Sequence, residues 1–139
     1  MIAYVDSSVL LRIVLRQPHA LKEWRRIEKG VASSLVEVEC LHTLDRVRLR
    51  TRMTDKDLAL RRDTIFRLLD AMELVEPSRS VLARASQPLP TELGTLDAIH
   101  LTTAMLWREA SVSEVVMATH DEALGTAARA QGFAIIGLG

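Results

Sequence analysis

Apolar residues along this chain follow two rhythms that take turns from one end to the other. Residues 2–5 (IAYV) form a short continuous apolar run with β-branched and aromatic members, the pattern of a buried strand. From Ser7 the spacing changes. Val9, Leu10, Ile13 and Val14 recur at three and four residues, which predicts an amphipathic helix up to the interruption at Pro18. Residues 19–29 read as a second, short helix ended by Gly30, and residues 31–35 as a second strand. Val38, Leu41, Leu44, Val47 and Leu49 then return to roughly helical spacing.

Thr54 followed by Asp57 resembles a capping box with aspartate in place of glutamate. It opens a long helix through Leu58, Ile65, Leu68, Leu69 and Met72. A third strand falls near Leu74 and Val75. Pro77, Pro88, Pro90 and Gly94 punctuate a loop-rich stretch that holds a short helix over residues 81–85. Thr95 opens a helix through Ile99, Leu101, Ala104 and Met105. Residues 115–118 read as a buried strand, 121–131 as a helix closed by Gly132, and 133–136 as the final strand. Strands separated by helices predict one α/β domain with a parallel sheet.

Composition narrows the picture. A chain of 139 residues, 48% hydrophobic and 26% charged, has the size and make-up of one globular domain. No apolar run approaches the roughly 20 residues of a membrane span, and the expected compartment is the cytoplasm. Cys40 is the single cysteine, which excludes an intramolecular disulfide and a cysteine-based zinc cluster. The 18 basic residues balance the 18 acidic ones, so net charge by itself calls for no polyanionic partner. The identity of the cations changes that slightly. Lys22, Lys29 and Lys56 are the only lysines, and arginine is the better match for phosphate and carboxylate forks.

Candidate chemistry lies in four acids. Asp6 and Asp121 each stand at or just past the C-terminal end of an apolar strand that feeds a helix, where open α/β sheets build ligand sites. Glu39 and Asp97 each lie near the start of a helix and can project toward the same edge. Taken singly, each has another account: Asp6 and Asp121 as helix N-caps, Asp97 as a first-turn acid, Glu39 as a solvated helix residue like Glu37. Four carboxylates brought together without a lysine would repel unless protons or cations screened them. Hard oxygen ligands favour Mg²⁺ or Mn²⁺, which can activate water and clamp the oxygens of an in-line displacement at phosphorus.

The segments YVDSSVLL, SSLVEVECLHTL, LGTLDAIHLTTA and MATHDEALGTAARAQGF resemble, in order and spacing, the four acidic motifs of PIN-domain proteins, particularly VapC-like toxins. The likeness runs almost end to end. It implies a three-layer α/β/α fold with a mostly parallel sheet, an endoribonuclease dependent on Mg²⁺ with Mn²⁺ as substitute, a homodimer, and a cognate antitoxin partner. It assigns the family's acids to Asp6, Glu39, Asp97 and Asp121, and its small hydroxyl positions to Ser7 and Thr119. Glu39 is preferred to Glu37, about 200° away on a helix, because it precedes Leu41 and Leu44 as the family acid does. The other classes to weigh are a nonenzymatic RNA- or protein-binding module and a phosphoacceptor receiver-like domain; for the latter, the last strand carries no lysine.

The remaining residues carry weaker signals. His42 and His100 sit beside acidic motifs but within helices, where a structural histidine is commoner. Trp24 and Trp107 read as core or interface anchors. Arg46, Arg48, Arg50 and Arg52 alternate with Val47, Leu49 and Thr51; they are either a solvated face or a positive wall for RNA or an acidic antitoxin segment.

Overall fold

The computed structural model describes residues 1–139. The chain runs β1 (Ile2–Val5), α1 (Ser7–Val14), a single 3₁₀ turn (Trp24–Arg26), β2 (Lys29–Ser33), α2 (Leu35–Thr51), α3 (Asp55–Asp70), β3 (Glu73–Val75), α4 (Arg79–Ala85), α5 (Thr95–Ser111), β4 (Val116–Ala118), α6 (Glu122–Ala130) and β5 (Ala134–Ile136). The five strands form one sheet in the order β3-β2-β1-β4-β5. Every neighbouring pair is parallel. No helix is long and apolar enough to cross a membrane.

Strand alternation builds the layers. Ala3 and Val5 of β1 face a core shared with Val9 and Leu10 of α1, Val36, Cys40 and Leu44 of α2, and Ile65 and Leu69 of α3. Tyr4, between them, faces a second core with Leu101, Ala104 and Met105 of α5 and Leu124, Ala127 and Ala128 of α6. Successive strand side chains point to opposite faces, so a run apolar throughout is what a sheet covered on both sides requires. Each fully buried Val or Leu in these layers contributes about 1.5–3 kcal/mol. The architecture is therefore the three-layer α/β/α arrangement. Its strand order also differs from the 2-1-3-4-5 order of receiver-like folds, which removes that alternative.

Several local expectations need correction. Residues 19–29 do not form a helix: His19 has φ of 63°, and only Trp24–Arg26 makes a turn. Gly30 ends nothing; it sits inside β2, paired with Ala3 of β1. Sheet pairing claims Lys29 onward, which takes the C-terminal end of the expected helix, and the left-handed backbone at His19 blocks its start. On α2 the buried positions are Val36, Cys40 and Leu44, whereas Val38 and Leu49 are exposed. A strict four-residue interval, not the apparent apolar spacing, marks the inward side. At the start of α3, Thr54 Oγ1 accepts from the Asp57 amide (3.1 Å), but the Asp57 carboxylate turns to Arg61 (3.2 Å), so only one arm of the capping box forms.

Candidate metal centre

Strand order sets the place of the site. The chain leaves β1 for β2 on one side and reaches β4 on the other, so a crevice opens beyond the C-terminal ends of β1 and β4. The Asp6 amide still donates to the Ala118 carbonyl (3.0 Å), bringing the two strand exits side by side. Asp6 follows β1 directly, and Asp121 follows β4 by three residues.

Asp6 is the N-cap of α1 by position but makes no side-chain cap; its carboxylate is used elsewhere. Ser8 Oγ donates to Asp6 Oδ2 (2.7 Å) and Thr119 Oγ1 donates to the same oxygen (2.9 Å). Thr119 Oγ1 in turn accepts from the Asp121 amide (3.0 Å), and Ser8 Oγ accepts from the His120 amide (3.0 Å). Two hydroxyls thus tie the loop after β1 to the loop after β4. Ser7, the hydroxyl expected here beside Thr119, makes no side-chain hydrogen bond. Helical side chains lean toward the N-terminus, and from the second residue of α1 Ser8 reaches back over Asp6. Sequence inspection missed Ser8; its signal is a hydroxyl two residues after a strand-end acid.

Asp121 does cap its helix, with Oδ1 accepting from the Leu124 amide (3.0 Å). Asp97 lies in the first turn of α5, and no protein group bonds to its carboxylate. Glu39 is half-buried on α2, and its Oε1 is 2.6 Å from His100 Nε2; Glu37 points to solvent. In each of the four acids at least one oxygen is therefore left without a protein partner, and none of those oxygens is buried.

Electrostatics tie the four together. Burial, then the charges of Asp121 and Asp6, and more weakly Glu39, push the Asp97 carboxyl up to about 6 against a small opposing influence of His100. Burial would lower the His100 imidazole, but its hydrogen bond to Glu39 and the charges of Glu39, Asp6 and Asp97 outweigh that and raise it. Burial drives the Tyr4 phenol up, far outside any working range, and the Cys40 thiol up to about 12. Cys40 is accordingly a core residue and no nucleophile.

The acids sense one another, yet no group of three or more His, Cys, Asp or Glu side chains is placed, as it stands, to hold a metal ion. The two observations differ in range. Charge influence reaches across a crevice, whereas ligation needs oxygens within about 2.0–2.6 Å of one point. The donor set fits a hard divalent cation in its chemistry, and the free oxygens would have to close on it.

Residues 3–129 match the PIN domain family. The chain belongs to that family. Among curated relatives of this PIN-domain chain, Ribonuclease VapC46 of Mycobacterium tuberculosis is 32% identical over 136 residues, covering 96% of this chain and 95% of the relative. Among solved structures, VapBC2 from Rickettsia felis bound to a DNA fragment from their promoter superposes with a TM-score of 0.67 at 11% identity, covering 97% of both chains. At that identity the match supports the PIN-like fold alone.

His42, Trp24, Trp107 and the four arginines make no hydrogen bond to the four acids. His42 is exposed. Trp24 is partly buried against the first core, and Trp107 against the second, where it also donates to Glu73. The four arginines do not form one wall. α2 is helical to Thr51, so Arg46 and Arg50 share a face about 40° apart and Arg48 points away, paired with Asp45 (2.8 Å). Arg52 ends the helix in the left-handed region, with φ of 52°.

Proposed function

We propose that this PIN-domain chain is a divalent-metal-dependent endoribonuclease that hydrolyses RNA phosphodiester bonds, the toxin of a toxin–antitoxin pair. Asp6, Glu39, Asp97 and Asp121 would hold Mg²⁺, with Mn²⁺ as substitute, and the chain would work in the cytoplasm as a homodimer restrained by its antitoxin. One observation carries the reading. The Asp97 carboxyl feels the charges of Asp121, Asp6 and Glu39, each of the four has one oxygen or more free of protein partners, and hydroxyls, an amide and an imidazole anchor three of them. Anchored donors with spare oxygens are what a cation site on a rigid scaffold needs. The likeness to a named ribonuclease over nearly the whole chain supports the same conclusion.

The cation, when bound, supplies charge neutralisation at phosphate and activation of the attacking water. The protein's own part is orientation. Ser8 and Thr119 fix Asp6, the α6 N-terminus fixes Asp121, and Thr119 links both. Purified protein should cleave single-stranded RNA with millimolar Mn²⁺ or Mg²⁺ and lose that activity in chelator. Metal-independent binding of RNA or of a partner protein with no cleavage would instead favour a nonenzymatic module, the reading to which the open placement of the acids lends weight.

The arginine face gives a separate test. Arg50 lies about 16 Å along α2 from Glu39, close enough for an RNA strand engaged at the acids to reach it. Arg46→Gln with Arg50→Gln should weaken RNA binding at low salt and reduce the slope of log affinity against log salt by about one per lost phosphate contact. Unchanged RNA affinity in a folded variant would return this face to solvent, and a loss confined to antitoxin affinity would reassign it to that partner.

A further inference from the structure

Glu39 differs from the other three acids in its support. Asp6 is held by the Ser8 and Thr119 hydroxyls, Asp121 by its cap on α6, and Asp97 stands on a short side chain in the first turn of α5. Glu39 is the fifth residue of a seventeen-residue helix, with a longer side chain whose hydrogen-bond partner is His100. A free glutamate there would spread over many rotamers. What restrains it is His100, itself 0% exposed, at 2.6 Å.

The direction of that bond follows from its acceptor, because an ionised carboxylate has no proton to give and a bare imidazole nitrogen 2.6 Å from it would repel. The Ser33 backbone N–H can only donate, and it donates to Tyr4 Oη (3.0 Å). Tyr4 Oη lies 2.8 Å from His100 Nδ1 and has its own proton to give. The proton on Nε2 therefore points at Glu39 Oε1, which leaves Nδ1 of a neutral ring free to accept from Tyr4 Oη. A doubly protonated ring would still direct Nε2–H to Glu39, so the geometry holds in either charge state. This chain of hydrogen bonds crosses from β2 through β1 to α5 and α2, all rigid elements.

We propose that His100, held in one orientation by Tyr4, is a positioning residue that fixes Glu39 Oε1 and thereby presents Oε2 to the cation; the inference rests on the reading of the four acids as a nuclease metal centre. The rival explanation is a polar pair that only holds α5 to α2. The two differ in what substitution changes. Tethering alone would lower the melting temperature and leave cation affinity as it was, whereas positioning alters affinity in a folded protein.

The experiment titrates Mn²⁺ calorimetrically into the full chain and its variants, with Asp97→Asn as the site control. His100→Gln keeps an N–H donor near the Nε2 position and should bind Mn²⁺ within a few-fold of the parent. His100→Asn, polar but with its amide near Nδ1, and His100→Leu should bind about 10–100-fold more weakly. In a Glu39→Gln background, His100→Asn should cost nothing further. Equal Mn²⁺ affinity for parent, His100→Gln and His100→Asn, all folded, overturns the inference while leaving the nuclease reading intact. A parent that binds no Mn²⁺, or binds it equally after Asp97→Asn, overturns the nuclease reading and the inference with it. Imidazole ¹⁵N shifts of the metal-free protein give a metal-independent arm. The Nε2–H signal of His100 should move with Glu39→Gln and not with Glu37→Gln, and a ring protonated on Nδ1 alone would overturn the donor assignment whatever the cation does.

Discussion

Asp97→Asn is expected to abolish RNA cleavage while leaving the metal-free protein at least as stable as the parent. Asp97 has no hydrogen bond to lose, and its charge is opposed by burial and by Asp121, Asp6 and Glu39. A carboxyl held at about 6 in the fold, against about 3.9 unfolded, favours its protonated form on folding. Its stabilising contribution is complete below the unfolded value and disappears as pH rises through about 6. The metal-free parent should therefore lose stability between about pH 4 and pH 6 relative to Asp97→Asn, by on the order of 1 kcal/mol once screening at this half-exposed group is allowed for. Added Mn²⁺ should reverse the order. Binding to the native state at a hundred times Kd contributes about 2.7 kcal/mol to the parent, and the variant should gain less. Cleavage should fall by about a hundredfold or more, because removing a direct ligand exceeds the 10–100-fold loss typical of an outer partner. Asp6→Asn and Asp121→Asn should be equally inactive and Glu37→Gln close to parent. Melting curves across pH, with chelator and with graded Mn²⁺, check this. Equal metal-induced shifts in parent and Asp97→Asn would show that these acids share no cation.

The largest loss of stability from a single methyl group is expected at Gly137. Its φ is 103°, a region closed to side chains without strain, and a Cβ there would come within 3.0 Å of the Thr119 carbonyl oxygen, nearer than real Cβ atoms approach. Strain costs about 1–3 kcal/mol and the forced contact about 1–3 kcal/mol more. Gly137→Ala should thus lower the melting temperature by about 10 °C or more. Gly125→Ala is the control. Its new Cβ would crowd Cδ1 and Cγ of Leu138 and touch Cγ2 of Ile135, side-chain atoms and no backbone, so Leu138 can shift, and alanine is favoured over glycine inside a helix by about 1 kcal/mol. The contact at Gly137 bears on the crevice, since Thr119 links Asp6 to Asp121 and Gly137 O accepts from His120 Nδ1 (2.8 Å). Cleavage should fall along with stability. A Gly137→Ala protein melting with the parent would mean that the C-terminal segment is not seated against the Thr119 loop.

Local pattern determined much of this protein. Continuous apolar runs such as residues 2–5 mark strands covered on both faces because alternation then has no polar side to show, and that alone calls for layers above and below the sheet. Asp6 and Asp121 are visible as acids at strand exits because the change from a continuous apolar run to 3.6-residue spacing marks the exit in the sequence itself. Where tertiary contacts compete with local preference, the sequence is silent. The segment after Pro18 has the spacing of a helix, but β1 takes Lys29 to Val31 as pairing partners and the helix is lost. Val38 and Leu49 fit a helical rhythm, yet α2 meets the sheet through Val36, Cys40 and Leu44, since inter-element packing selects which of two plausible stripes turns inward.

The crevice shows the same division. The four acids are legible one by one, but what restrains each is decided by residues far away in sequence: Thr119 for Asp6 across 113 positions, and His100 for Glu39 across 61. A hydrogen bond of that span leaves no periodic trace in the chain. His100 and Tyr4 read as ordinary helix and strand residues until β1, α2 and α5 are stacked, when one hydrogen-bonded chain joins them. The residue types at the site are thus set by local sequence, and their register, partners and spare oxygens by the parallel sheet that brings two strand ends together.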